Sequence, residues 1–231
     1  MTTTSSAVPT PPAAGSADSG SGRKSGAKRL SPLALVGLVG AVVVAGVLVA
    51  RLLLSLFQPH LYAGTVLQSP TPAPDMSSLS LASGEPLDIA GFEGDVVLLY
   101  FGYTNCPDVC PTTLSTAARA RQGLSPTERD RTHVMMISVD PARDPLDELQ
   151  AYVEFFDPDF IGVSGNDADI KRAATQYGVF YALGDGTEAS GYTVDHTANL
   201  LGIGPDGRLR VIWAPDVTSD ALQSDIEELL S

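Results

Sequence analysis

Val96-Val-Leu-Leu-Tyr-Phe-Gly-Tyr-Thr-Asn-Cys106-Pro-Asp-Val-Cys110-Pro-Thr-Thr-Leu114 is the stretch on which the reading of this chain turns. Residues 96–103 are a continuous apolar run, as expected of a strand buried on both faces rather than on one. A short loop follows with the chain's two cysteines, Cys106 and Cys110, and then 112–122 suits a helix. Pro111 falls near that helix's first turn, where its missing N–H costs nothing.

Strand, loop, cysteines, helix is the thioredoxin arrangement. It places a thiol near a helix N-terminus, where the dipole and free N–H groups stabilise thiolate. A structural disulfide is the competing reading, but so short a loop gives little entropic stabilisation on closure. Two cysteines cannot staple a chain of 231 residues, so the pair is read for its chemistry.

Outward from this centre, 134–139 is a second buried strand and 146–156 an amphipathic helix with Leu146, Leu149, Val153 and Phe156 on one face. A short strand at 160–163 precedes a helix capped by Asn166, running to Tyr177 and stopped by Gly178. Residues 197–203 and 209–213 read as a hairpin across Pro205-Asp206-Gly207, and 221–230 as a closing helix. Upstream, 79–81 and 86–89 read as a hairpin turning at Ser83-Gly84. The alternation indicates an α/β fold with a mixed central sheet flanked by helices.

The N-terminal quarter is different. Residues 1–29 are rich in Ser, Thr, Ala, Gly and Pro and are expected to be a disordered tail. Residues 30–57 form an apolar run, uncharged from Leu30 to Ala50 and interrupted by Arg51. At about 1.5 Å per residue, 21 residues span roughly 31 Å, enough for one transmembrane helix. The run is longer than a signal-peptide core and no A-x-A site follows it, which favours an uncleaved anchor. Arg23, Lys24, Lys28 and Arg29 precede it, so the tail is expected in the cytoplasm and the rest of this single-pass plasma-membrane protein outside. Residues 58–75, with four prolines, read as a semi-extended tether to a domain at 76–231.

From residue 52 onward, 9 basic residues face 26 acidic ones, a net charge of -17. That balance argues against nucleic-acid binding, which needs a basic footprint.

The segment 100–114 resembles the signature of the Sco/SenC family. So do Ser138-Val-Asp-Pro-Ala-Arg-Asp144, Phe156-Asp-Pro-Asp-Phe-Ile-Gly162, Val194-Asp-His-Thr197 and Gly204-Pro-Asp-Gly207, in the family's order. The resemblance implies a thioredoxin-like domain that binds copper through Cys106, Cys110 and His196. Soft thiolates select Cu(I), imidazole suits Cu(I) and Cu(II), and three ligands leave a position open for transfer. Structural zinc would want a fourth Cys or His, and none has matching spacing. In thioredoxin-like oxidoreductases a cis-proline followed by Thr faces the cysteine pair; Asp-His-Thr takes the corresponding place here, exchanging a substrate contact for a ligand.

The resemblance further implies copper delivery to the CuA site of a cytochrome c oxidase subunit, with a copper donor protein and a thiol reductant as other partners. The rival is an enzyme, a tethered thiol–disulfide oxidoreductase using Cys106 and Cys110 as a redox-active pair. A redox or copper sensor is a third reading with nothing specific behind it. His60 is juxtamembrane and expected in a solvated or interfacial role, His133 at a strand edge or surface position, and Asp195 on the opposite face from His196. Asp108 tunes local charge or simply makes the turn.

Overall fold

The computed structural model describes residues 32–56, 60–185 and 191–231. The chain divides into two units, 1–58 and 59–231. In the first, Pro32–Leu56 is a single helix, α1. Its segment Val36–Leu54 has a mean hydropathy of 2.5 and no buried residue, and it is long and apolar enough to cross a membrane. Arg51 lies inside this helix. The expectation of a disordered tail at 1–29 falls outside the described residues.

The second unit begins earlier than the sequence suggests. Thr65–Pro72 is a strand, β1, so the tether expected at 58–75 is largely part of the fold. The core of the sheet is Val96–Gly102 (β3), every residue of which is buried. It pairs in parallel with Thr132–Ser138 (β4), which pairs in parallel with Ile161–Ser164 (β5). Ser80–Leu81 (β2) closes one edge antiparallel to β5. On the other side of β3 lie Leu200–Ile203 (β8) and Arg208–Trp213 (β9), a hairpin turning at Gly207 with φ +67°. β1 runs antiparallel to β9, giving the order β1-β9-β8-β3-β4-β5-β2. Parallel strands at the centre and antiparallel ones at both sides make the mixed sheet expected.

Helices fill the connections. Val109–Gly123 (α2) follows β3, and Leu146–Glu154 (α4) packs on β5. Asp167–Gln176 (α5) is capped by Asn166, whose side chain accepts the Asp169 N–H at 3.0 Å. Ser219–Leu230 (α6) packs against α2. A short helix absent from the sequence reading, Pro126–Asp130 (α3), starts at a capping box between Ser125 and Glu128. The hairpin expected at 79–89 is present and short: Leu81 N–H donates to the Glu85 carbonyl and Leu87 N–H to the Leu79 carbonyl, on either side of an antiparallel bridge between Ser80 and Pro86. The return arm then enters a 3-10 turn at Ile89–Phe92, and β2 pairs with β5 on its other side. A separate two-stranded ribbon, Tyr181–Leu183 (β6) with Val194–His196 (β7), projects beyond the end of α5 in sequence.

Candidate metal centre

At Gly102, the last residue of β3, the backbone passes close to a sulfur. A Cβ built on Gly102 would lie 2.9 Å from Cys110 Sγ and 2.7 Å from Tyr100 Cε1, so only glycine admits this approach. The loop then delivers Cys106, nearly buried, and α2 begins at once, placing the fully buried Cys110 in its first turn. Both cysteines are free thiols. The Cys110 backbone N–H points at Cys106 Sγ, 3.4 Å away. Burial pushes the Cys110 thiol up to about 12, partly offset by the nearby Tyr100 hydroxyl and the Tyr103 backbone. The Tyr100 hydroxyl is itself sealed in the core beside Thr113 and Cys110 without good hydrogen-bond geometry to either.

His196 comes from β7 on the opposite wall. Its Nε2 lies 3.6 Å from Cys110 Sγ, and its Nδ1 is 3.2 Å from the Thr197 carbonyl. A proton on Nδ1 donating to that carbonyl leaves the Nε2 lone pair facing the thiols. Burial holds the imidazole below its ordinary 6.5, against the pull of the Thr197 and Phe101 carbonyls and of Asp195. The rings of Tyr100 and Tyr103 meet it edge-on at 6.0 and 5.9 Å. Asp195 is exposed, on the other face of the strand, as expected.

The ligand atoms of Cys106, Cys110 and His196 all lie within 4.8 Å of one another. Metal bonds of about 2.0–2.3 Å seat two donors no more than roughly 4.5 Å apart, so shifts of a few tenths of an ångström close the set. Two thiols and one imidazole form a soft, three-donor group suited to a thiophilic ion. A cleft of about 340 Å³, lined by Tyr103, Cys106, Pro107, Thr193 and His196, opens the centre on one side. Asp108 lies at this mouth and makes no side-chain cap to α2.

The other two histidines sit elsewhere. His133 pairs with Asp95 at 2.8 Å, half-buried near the surface at the start of β4; that strand is flanked by β3 and β5, so the surface reading holds and the edge reading does not. His60, expected to be solvated or interfacial, docks on the domain, its Nε2 2.8 Å from the buried Asp225. That carboxylate also accepts the Trp213 indole N–H at 2.7 Å and the backbone N–H groups of Ala63 and Gly64.

A thioredoxin-like domain that carries two thiols at its first helix and a histidine across from them is a metal-binding variant of that fold. The family model SCO1/SenC matches residues 76–231, and the chain belongs to the SCO1/SenC family. It is 37% identical to apo Sco1 of Thermus thermophilus, with a TM-score of 0.66 over 74% of this chain and 98% of that one. It is 31% identical to Bradyrhizobium japonicum ScoI with copper bound, at a TM-score of 0.60 over 70% and 98%. The human mitochondrial SCO1 homologue is 36% identical over 131 residues, 56% of this chain but only 44% of the relative's length.

Proposed function

We propose that this chain is a membrane-anchored copper carrier that binds copper through Cys106, Cys110 and His196 and passes it to an extracytoplasmic acceptor. The observation that carries the reading is the convergence of three soft or borderline donors within 4.8 Å at the end of a buried strand. A related structure of this family contains copper, and the donor set here suits it. The one-sided cleft gives an acceptor's ligands access to the ion while the core side stays closed. The acceptor we favour is the CuA site of a cytochrome c oxidase subunit, following the family; a copper donor and a thiol reductant complete the cycle. The N-terminal helix anchors the protein in the plasma membrane, with the basic tail inside.

The two thiols make binding redox-dependent, since only reduced cysteines can ligate. Copper titration of the full-length chain in detergent, reduced and then oxidised, tests the assignment. One copper per reduced chain and little per oxidised chain is expected; equal affinity in the two states removes the thiols as ligands.

A second reading rests on the unequal placement of the thiols. Cys106 lines the open cleft whereas Cys110 is sealed behind it, the order needed for attack by an outer thiol and resolution by an inner one. Turnover on a disulfide peptide by a His196→Ala chain would support that reductase role.

A further inference from the structure

The loop at 138–144 holds no proposed ligand, yet three of its residues are among the few buried polar side chains of the domain: Ser138, Asp140 and Asp144. Its bonds run in two directions. Asp144 accepts the Thr104 hydroxyl at 2.5 Å, the Thr104 backbone N–H at 3.1 Å and the Ser138 hydroxyl at 2.6 Å. Thr104 stands two residues before Cys106, so this half of the loop grips the cysteine segment.

Arg143 grips the other wall. Its Nε donates to Asp140 at 2.6 Å and its Nη1 to the Tyr192 carbonyl at 2.9 Å. Its guanidinium lies 3.6 Å from the centre of the Tyr192 ring and 5.8 Å from that of Tyr103. Tyr192 returns the contact by donating its hydroxyl to Asp140 at 2.5 Å, and the Val194 N–H donates to the Tyr103 hydroxyl at 3.3 Å. Tyr192 and Val194 lead directly into His196. The planar guanidinium makes a fork and a stack at once, which a lysine cannot do.

We propose that the 138–144 loop is a positioning brace that sets the two halves of the metal centre against each other. Asp144 fixes the cysteine loop, and Arg143, seated on Asp140, fixes the strand that carries His196. The proposal rests on the copper reading for its purpose, but its geometry stands without a metal. β6 and β7 share three paired positions with each other, and β7 belongs to a ribbon separate from the main sheet. Such a short ribbon is marginal alone and needs a side-chain anchor to hold a ligand in place. Outer-sphere partners of this kind typically change metal affinity by about 10–100-fold when removed.

The test uses the full-length chain in detergent with Arg143→Gln, Arg143→Lys and Tyr192→Phe. In the metal-free reduced protein, amide exchange at Gly184 and Val194 should speed by roughly tenfold in Arg143→Gln while amides of β3 and β4 keep their rates. Cu(II) affinity should fall by about 10–100-fold and the Cu(II) spectrum should shift. Cu(I) affinity should change less than about threefold, because the thiols are held by the Asp144 half of the brace. Arg143→Lys should recover little of the loss. Unchanged exchange at Gly184 and Val194, or equal losses for Cu(I) and Cu(II), overturns the proposal. If Arg143→Gln fails to fold, Tyr192→Phe, which deletes one hydroxyl, decides by the same amides. A wild-type chain that binds no copper while the exchange pattern appears as expected defeats the copper reading and leaves the brace.

Discussion

At the residue scale the three donors differ in what they can give. Imidazole matters more to Cu(II) than to Cu(I) already held by two thiolates. His196→Ala should therefore keep appreciable Cu(I) binding and lose a stable Cu(II) complex, as read by titration with each oxidation state. Loss of both together would put His196 at the centre of Cu(I) binding too. The shifts of Cys110 and His196 also set the pH response of the reduced, metal-free protein. Cys110, raised from an ordinary 9.0 to about 12, contributes stability that is complete below pH 9 and lost as the pH climbs toward 12. His196, held below 6.5, contributes stability present above 6.5 and lost as the pH falls through its folded value. Denaturant melts of wild type and His196→Ala should diverge in slope below pH 6.5, the variant being the flatter. Parallel acid limbs would show that the imidazole is not desolvated. Gly102 is the third sensitive position: Gly102→Val should cost about 1–3 kcal/mol by overpacking and weaken metal binding, since its side chain points at Cys110 Sγ. The three donors that converge were legible in the sequence, the cysteines by their spacing after a buried strand and His196 by its place in the Asp-His-Thr motif. The contacts of Tyr103 and Arg143 were not, because they come from neighbours up to 91 positions away in the chain.

At the element scale the apolar runs of β3 and β4 were read correctly because each is short, continuous and rich in β-formers or bulky apolar residues, as a strand buried on both faces requires. β1 was not. Thr65–Pro72 contains Pro70 and Pro72, which read as a tether, yet an edge strand tolerates residues without an N–H. Its register on β9 also shifts between Val66 and Thr71. What fixes it is long-range: Asp225 of α6 gathers His60, Ala63, Gly64 and Trp213, and no local pattern announces that. β6 escaped for a similar reason, being three residues that pair only with the histidine strand. Two outcomes follow from the edge. Asp225→Ala should lower stability by about 2–4 kcal/mol, since it strands a buried indole N–H and two backbone donors, while copper stoichiometry of the folded fraction stays at that of wild type. Fragments starting at residue 60 and at residue 76 should separate in a thermal melt. The shorter one leaves β9 as a bare edge and uncovers Trp213, so it should melt lower and aggregate sooner. Equal melting of the two would return residues 60–75 to the status of a tether.

At the scale of the whole chain, charge and hydropathy are segregated as strongly as any structural feature. Four basic residues precede the apolar helix, and nine basic against 26 acidic residues follow from position 52. Positive charge beside an apolar span resists translocation, whereas acidic residues contribute little to orientation. The tail should therefore stay inside and the acidic, copper-binding unit should be carried across. In a compartment outside the reducing cytosol the thiols of the cysteine pair would be open to oxidation, and copper loading there would then depend on a reductant. A reporter active only outside the cytoplasm, fused after Ser231, should be active, and the full-length protein should sediment with membranes and resist carbonate extraction. Moving the basic cluster tests cause rather than correlation. Replacing Arg23, Lys24, Lys28 and Arg29 by Ser while adding four Lys after Leu56 should invert a measurable share of molecules, with loss of reporter activity and of copper acquisition together. Retained orientation in that variant would show that folding of the domain, not the flanking charge, decides which side it reaches. A soluble form cut near Ala63 would instead overturn the anchor itself.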